Sequence, residues 1–260
     1  MFSGELSEVK MVHNVLKSIA IKEFAVLRPM KEGLKITVDE MRCIEASAYL
    51  PCNIFSAYAI DNEDIIFKVN LKILTEILNI FGEDDHTSLK LSYKSAGSPL
   101  FLIMNHEEEN ITVDCEIRTV NIDDFENPSL AEECNMNKIV MNANIFGELL
   151  NRLDSPAEEV QITFSPSHPY FKLKTTGLVG ESEVCINKNS DSVTMYQCNE
   201  KTKSIYTFSN IRHVIKVLHH ADKVAISTGE SGLLGLQLVI NCDDNQMYVE
   251  FYITSQYQTD

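Results

Sequence analysis

The sequence predicts an α+β protein of antiparallel sheets that carry four amphipathic helices, and three observations predict it. Most of the chain alternates apolar with polar residues, four segments instead space apolar residues by three and four, and one acidic stretch near the middle keeps no period. Alternation buries one side of a strand and wets the other, which is the pattern of antiparallel sheets covered on one face. Spacing of three and four does the same for a helix.

The first helix is expected near residue 9, where Val9, Val12, Leu16 and Ile19 form one stripe. Strands follow at 23–28, at 34–39, at 44–50 and at 65–69; in the second of these Leu34, Ile36 and Val38 alternate with Lys35, Thr37 and Asp39. A second helix near 71 carries Leu71, Leu74, Leu78 and Phe81, and strands are expected at 89–93, 100–105 and 111–117. Residues 118–136 contain Asp123, Asp124, Glu126, Pro128, Glu132 and Glu133 and read as a solvated connector. Beyond it, a third helix with Ile145, Leu149, Leu150 and Leu153 is expected to be capped by Asn144. A fourth, with Ile211, Val214, Ile215 and Leu218, is expected to be capped by Ser209. Strands at 160–165, 204–208, 233–240 and 246–253 complete the pattern. The helices start near 9, 71, 144 and 209, each followed by two strands, at intervals of 62, 73 and 65 residues. The expected organisation is therefore two similar domains, 1–117 and 137–260, joined by the connector 118–136.

Composition narrows the function. The 260 residues suffice for a core without disulfides or metals, and no apolar run approaches the roughly 18 residues of a membrane-spanning helix. The N-terminus lacks the basic and apolar regions of a signal peptide, so an intracellular protein is expected. Seven scattered cysteines without a CxxC pair are expected to be reduced and mostly buried. With only 10 glycines there is little material for phosphate-cradling loops, which argues against a P-loop or dinucleotide-binding enzyme. A net charge of -16 argues, taken alone, against nucleic acid.

The distribution of charge reverses that inference. The polar stripe of the first helix holds Lys10, His13, Asn14 and Lys17, and that of the fourth holds Arg212, His213, Lys216, His219 and His220, with no acidic residue in either. Lys72 is offset by Glu76 in the second helix and Arg152 by Glu148 in the third. The four helices thus carry +2, 0, 0 and +2, while the rest of the chain carries -20. Basic residues confined to helices of an acidic molecule would draw DNA to one face and repel it elsewhere. An enzymatic alternative is a metal-dependent nuclease, given the acidic pairs Asp39-Glu40, Asp84-Asp85 and Asp243-Asp244 and those between Asp61 and Asp64. Most of these fall at turns, where Asp and Asn are expected for backbone reasons, and His219-His220 cannot converge on a metal from adjacent helix positions.

The paired halves and repeated units are similar to proliferating cell nuclear antigen, the sliding-clamp fold. Particular stretches narrow the match: Gly33-Leu-Lys-Ile-Thr-Val-Asp, Cys43-Ile-Glu-Ala-Ser-Ala-Tyr, Phe67-Lys-Val-Asn-Leu and Ile80-Phe-Gly82 in the first half. Gln161-Ile-Thr-Phe-Ser-Pro, Pro169-Tyr-Phe-Lys-Leu and Val249-Glu-Phe-Tyr252 do the same in the second. Together they resemble the Rad-one-type subunit of the DNA-damage checkpoint clamp.

The resemblance implies two similar DNA-clamp domains, with antiparallel sheets outside and four helices lining the inner face of a ring. It further implies a non-catalytic nuclear protein without a cofactor, joined by two sister subunits of the Rad-nine and Hus-one kinds. A checkpoint clamp loader would place the ring on double-stranded DNA without sequence specificity, as a scaffold for checkpoint signalling and repair. About twelve helices spaced roughly 10 Å apart trace a circle of about 38 Å, and subtracting a helix diameter leaves a hole on the order of 28 Å. The DNA-facing residues would be Lys10, His13, Lys17, Lys72, Arg152, Arg212, His213 and Lys216. The ring would close through Ile111, Val113, Cys115 and Ile117 on one edge and Ser182, Val184 and Ile186 on the other. Ile44, Phe251, Tyr252 and Ile253 would border a partner groove beside the connector. A homotrimeric replication clamp is the alternative within the same fold, although two neutral helices argue that partners supply part of the charge.

Overall fold

The computed structural model describes residues 1–41, 43–61, 64–82, 86–120, 122, 137–153, 157–177, 180–242 and 245–258. Four times, a strand runs into a helix that is followed by three strands. The first repeat is β1 (Phe2–Leu6), α1 (Lys10–Ile19), β2 (Phe24–Met30), β3 (Gly33–Glu40) and β4 (Ile44–Pro51), followed by the short β5 (Ala57–Ile60). The second is β6 (Phe67–Asn70), α2 (Leu71–Leu78), β7 (Thr87–Tyr93), β8 (Leu100–His106) and β9 (Ile111–Ile117). The third is β10 (Asn137–Asn142), α3 (Ala143–Arg152), β11 (Glu159–Phe164), β12 (Phe171–Thr176) and β13 (Glu181–Ile186), followed by β14 (Val193–Cys198). The fourth is β15 (Thr202–Thr207), α4 (Phe208–Leu218), β16 (Lys223–Thr228), β17 (Leu234–Cys242) and β18 (Asn245–Ile253), followed by β19 (Tyr257–Gln258). The unit expected from sequence, a helix and two strands, is therefore corrected to a strand, a helix and three strands.

The chain forms two compact units, one of residues 1–39, 46–126 and 241–248, the other of 40–45, 127–240 and 249–260. In the first, strands order as β5-β1-β7-β8-β9 and as β4-β3-β2-β6, and α1 packs on α2. In the second, they order as β13-β12-β11-β15-β19 and as β14-β10-β16-β17-β18, and α3 packs on α4. The five-stranded sheets correspond strand for strand, and in each one the last strand of a repeat, β9 or β13, lies at an edge.

Apolar stripes explain the packing. Val12, Val15, Leu16 and Ile19 of α1 and Leu71, Leu74 and Leu78 of α2 are buried, as are Leu89, Leu91, Leu100, Leu102 and Met104 of the strands in the same unit. Each such side chain contributes about 1.5–3 kcal/mol. Gly33 opens β3 at φ 146°, where any Cβ would strike the Leu50 carbonyl and the Pro51 Cα. That stretch needs glycine for its backbone and not for a ligand.

Several local expectations are corrected. The cap of α3 is Asn142, whose side chain accepts the Ile145 amide at 3.0 Å, and α4 starts after Thr207, so Asn144 and Ser209 lie inside their helices. Starting α3 at 143 rotates its buried stripe onto Ala143, Phe146, Gly147 and Leu150, leaving Ile145 42 % exposed and Leu149 half-buried. None of Cys43, Cys52, Cys115, Cys185 and Cys198 is buried, because each sits at a turn, a strand edge or a solvent-facing strand position; all five are free thiols. Of the expected connector, Val120 pairs with Lys68 through two backbone hydrogen bonds of 2.9 Å, and residues 121 and 123–136 lie outside the described residues.

Candidate functional site

The helix faces separate cleanly in α1. Lys17 is exposed and Lys10 half-buried, but His13 is only 7 % exposed. At 100° per residue, position 13 lies about 40° from Val9 and 60° from Leu16, so it borders the apolar stripe and packs with it. His13 is therefore removed from the solvent-facing set. In α2, Lys72 and Glu76 are both exposed beside Ile73. In α3, the Arg152 Nη2 donates to Glu148 Oε2 at 3.2 Å, one turn away, so its charge is locally answered. In α4, Lys216 is exposed, Arg212 and His213 are half-buried, and the Arg212 guanidinium lies 4.1 Å from the centre of the Phe208 ring. That stacking fixes the guanidinium before any ligand arrives. His220 follows the helix, and burial, then the neighbouring His219, keep its pKa below the ordinary histidine value.

Two sheet edges carry the second candidate surface. Among the described residues, strand β9 is hydrogen-bonded to β8 alone, and β13 to β12 alone. On β9 the side facing the core loses cover along its length: Ile117 is 4 % exposed, Cys115 and Val113 are half-buried and Ile111 is 42 % exposed. On β13, Ile186 is buried while Val184 and Ser182 are half-buried. Each edge thus offers open backbone groups and a partly covered apolar strip, the combination that accepts another strand.

The opposite faces of these edges hold charged residues that the sequence reading passed over. On β9 they are Asp114 and Glu116, both exposed, with Ile103 and Phe101 directly across on β8. On β13 they are Glu181 and Glu183, and here β12 answers them: Lys174 reaches Glu181 at 2.7 Å and Lys172 reaches Glu183 at 3.2 Å. Hydrogen bonds from these lysines hold both carboxyls below the ordinary glutamate range. Cys185 completes that face, its thiol pushed up by burial and by Glu183. Alternation in 111–117 and 181–186 marks the acidic positions, and only strand pairing reveals which have lysines across.

The expected groove does not assemble as a surface. Ile44, Phe251 and Ile253 are buried in the core, because Met247, Val249, Phe251 and Ile253 all occupy one face of β18. Tyr252 points to the other face, half-buried, and its hydroxyl donates to Glu250 Oε2 at 3.1 Å. Burial, then Glu250, push that phenol well above the ordinary tyrosine value. Among the described residues no group of three or more His, Cys, Asp or Glu side chains is placed to hold a metal ion. The pairs Asp84-Asp85 and Asp243-Asp244 lie outside the described residues.

The chain is similar to known proteins over nearly its whole length. A family model described as repair protein Rad1/Rec1/Rad17 matches residues 1–240. Cell cycle checkpoint protein RAD1 of Mus musculus is 33% identical over 254 residues, covering 96% of this chain and 90% of that protein. DNA repair protein Rad1 of Drosophila melanogaster is 28% identical over 263 residues, covering 100% and 95%. The DNA polymerase sliding clamp of Pyrococcus abyssi is 23% identical over 241 residues, covering 89% and 84%.

Proposed function

This chain belongs to the Rad1/Rec1/Rad17 family of repair proteins and shares the sliding-clamp fold, and on that premise we propose that it is a non-catalytic subunit of a heterotrimeric ring clamp. The ring is loaded around duplex DNA at damage sites and acts there, in the nucleus, as a scaffold for checkpoint signalling and repair. Its neighbours are two sister subunits of the Rad-nine and Hus-one kinds, and a checkpoint clamp loader opens it. The two clamp domains are 1–117 and 137–260, joined by 118–136.

The observation that carries this reading is the fourfold strand, helix and three-strand repeat, which puts the last strand of the second and of the third repeat, β9 and β13, at one edge of a five-stranded sheet. A chain with two such edges can add a neighbour at each and so close a ring. Lys10, Lys17, Lys72, Arg152, Arg212, His213 and Lys216 face the hole, and those without a carboxylate beside them, unlike Arg152, neutralise phosphates. Binding is topological and electrostatic, and no base edge is read. Of the groove residues, Tyr252 alone remains as a contact for a peptide. The acidic surface elsewhere keeps DNA from the outer faces.

The test is assembly. Proline at Val113 removes a backbone donor and bends β9, so the variant should lose one sister subunit and keep the other. Unchanged co-purification of both sisters rejects the assignment. Alone, the chain should sediment at 29.4 kDa, whereas a species three times as heavy supports a homotrimeric replication clamp instead.

A further inference from the structure

We infer that the two edges of this chain are electrically unlike, that the β9 edge takes a strand bearing lysine or arginine on its outer face, and that this asymmetry prevents the chain from pairing with itself. The inference rests on the ring reading above and names the chemistry of one neighbour. It starts from the outer faces of the two edge strands. Asp114 and Glu116 on β9 have apolar Ile103 and Phe101 across from them, and among the described residues neither has an ion-pair partner. Nearby cations do not answer them: Lys94 lies over the Phe101 ring at 5.3 Å, and Arg118, just past the strand, makes no ion pair among the described residues. Glu181 and Glu183 on β13 are each already bound by a lysine of β12.

Consider a second copy adding its β13 to β9. The half-covered residues on the core side, Val113 and Cys115 on one strand and Val184 and Ser182 on the other, must face the same way. The outer faces then coincide. Asp114 and Glu116 would stand beside Glu181 and Glu183 at the strand spacing of about 4.8 Å, while Lys172 and Lys174 would remain one strand further off and engaged. Like charges directly opposite destabilise a strand pair. A sister strand with basic residues at alternate outer positions turns the same geometry into attraction, and charge-assisted pairs flanked by Phe101 and Ile103 are partly desolvated when it docks. The β13 edge, neutral on balance, selects its neighbour on shape and apolar contact instead. One fold thereby distinguishes its left neighbour from its right and from itself.

The experiment compares the wild-type chain with Asp114→Lys/Glu116→Lys, with the neutral Asp114→Asn/Glu116→Gln and with Val113→Pro, each checked for an unchanged thermal transition or, for the proline variant, for a folded circular-dichroism spectrum. Each is titrated against the two sister subunits separately and sedimented alone. The charge-swapped chain should bind the β9-side sister at least about tenfold more weakly, bind the β13-side sister as before, and self-associate where the wild type stays at 29.4 kDa. The neutral variant should fall between. A charge-swapped chain that keeps both sisters at wild-type affinity, or that self-associates no more than wild type, overturns the charge proposal. If Val113→Pro also keeps both sisters, the failure lies in the ring reading itself; if it loses one, the edge is right and the charge argument alone is wrong.

Discussion

Reversing Lys17, Arg212 and Lys216 to glutamate should weaken DNA retention by the assembled ring without dissolving the ring. The three differ from the remaining helix cations in ways that justify the choice. Lys17 and Lys216 are exposed in the last turns of α1 and α4, and Arg212 is held in place over Phe208, whereas Arg152 is engaged by Glu148. Each phosphate no longer neutralised lowers the slope of log affinity against log salt by about 0.9, so three lower it by about 2.7. Over a fourfold rise in salt the wild-type ring should therefore lose about 40-fold more affinity than the variant. Two carboxylates newly placed at helix C-termini also cost about 0.3–1 kcal/mol each, so a modest fall in melting temperature is expected and must be measured separately. The assay is fluorescence titration of duplex DNA with the purified three-chain complex across salt, after sizing confirms assembly. The control reverses Lys94, Lys188 and Lys201, which are exposed and lie off the helices. Lys172 and Lys174 are unsuitable controls, because they neutralise Glu183 and Glu181 on an edge strand. Equal loss of salt dependence in control and helix variant, both assembled, refutes the assignment of the helices to the hole.

Gly147 lies buried on α3, and an added Cβ would meet Leu218 at 3.6 Å, an ordinary contact, so Gly147→Ala should raise stability by about 0.5–1 kcal/mol in denaturant unfolding. Gly33→Ala should instead cost about 1–3 kcal/mol, since both the backbone angle and the Leu50 carbonyl exclude a side chain. Removing the caps by Asn70→Ala or Asn142→Ala should cost about 1 kcal/mol each, read as lower denaturation midpoints with unchanged slope. Glu181 and Glu183 have folded pKa values below their unfolded ones, so their contribution is full above the unfolded value and disappears as pH falls through the folded one. A carbon-detected titration should place both carboxyls below the ordinary glutamate value, and Lys174→Gln should return Glu181 towards it.

Much of the fold was legible because burial on one side of a strand or helix leaves a period. Strand β3 and helix α1 were readable for that reason, and the stripe of α1 is buried as expected. The short strand β5 spans only four residues, too few to establish alternation, whereas β6, expected at 65–69, runs from Phe67 to Asn70, the residue that caps α2. His13 shows the limit of a polar stripe: a residue at the border of two faces follows its packing and not its polarity. The groove set contained its own contradiction, since Tyr252 stands between Phe251 and Ile253 and a period of two forbids a common face. The acidic residues of β9 and β13 were visible as letters but not as a site. Their significance comes from which strand lies at an edge and which lysine lies across, and neither is a property of local sequence.

Enclosure of DNA by the proposed ring can be distinguished from surface contact by the topology of the DNA. The three-chain complex, loaded onto circular nicked duplex by the clamp loader and washed in high salt, should remain bound, then leave when a restriction enzyme cuts the circle once. Equal retention on the circular and the cut DNA would rule out enclosure, because it would show that contact alone holds the complex there.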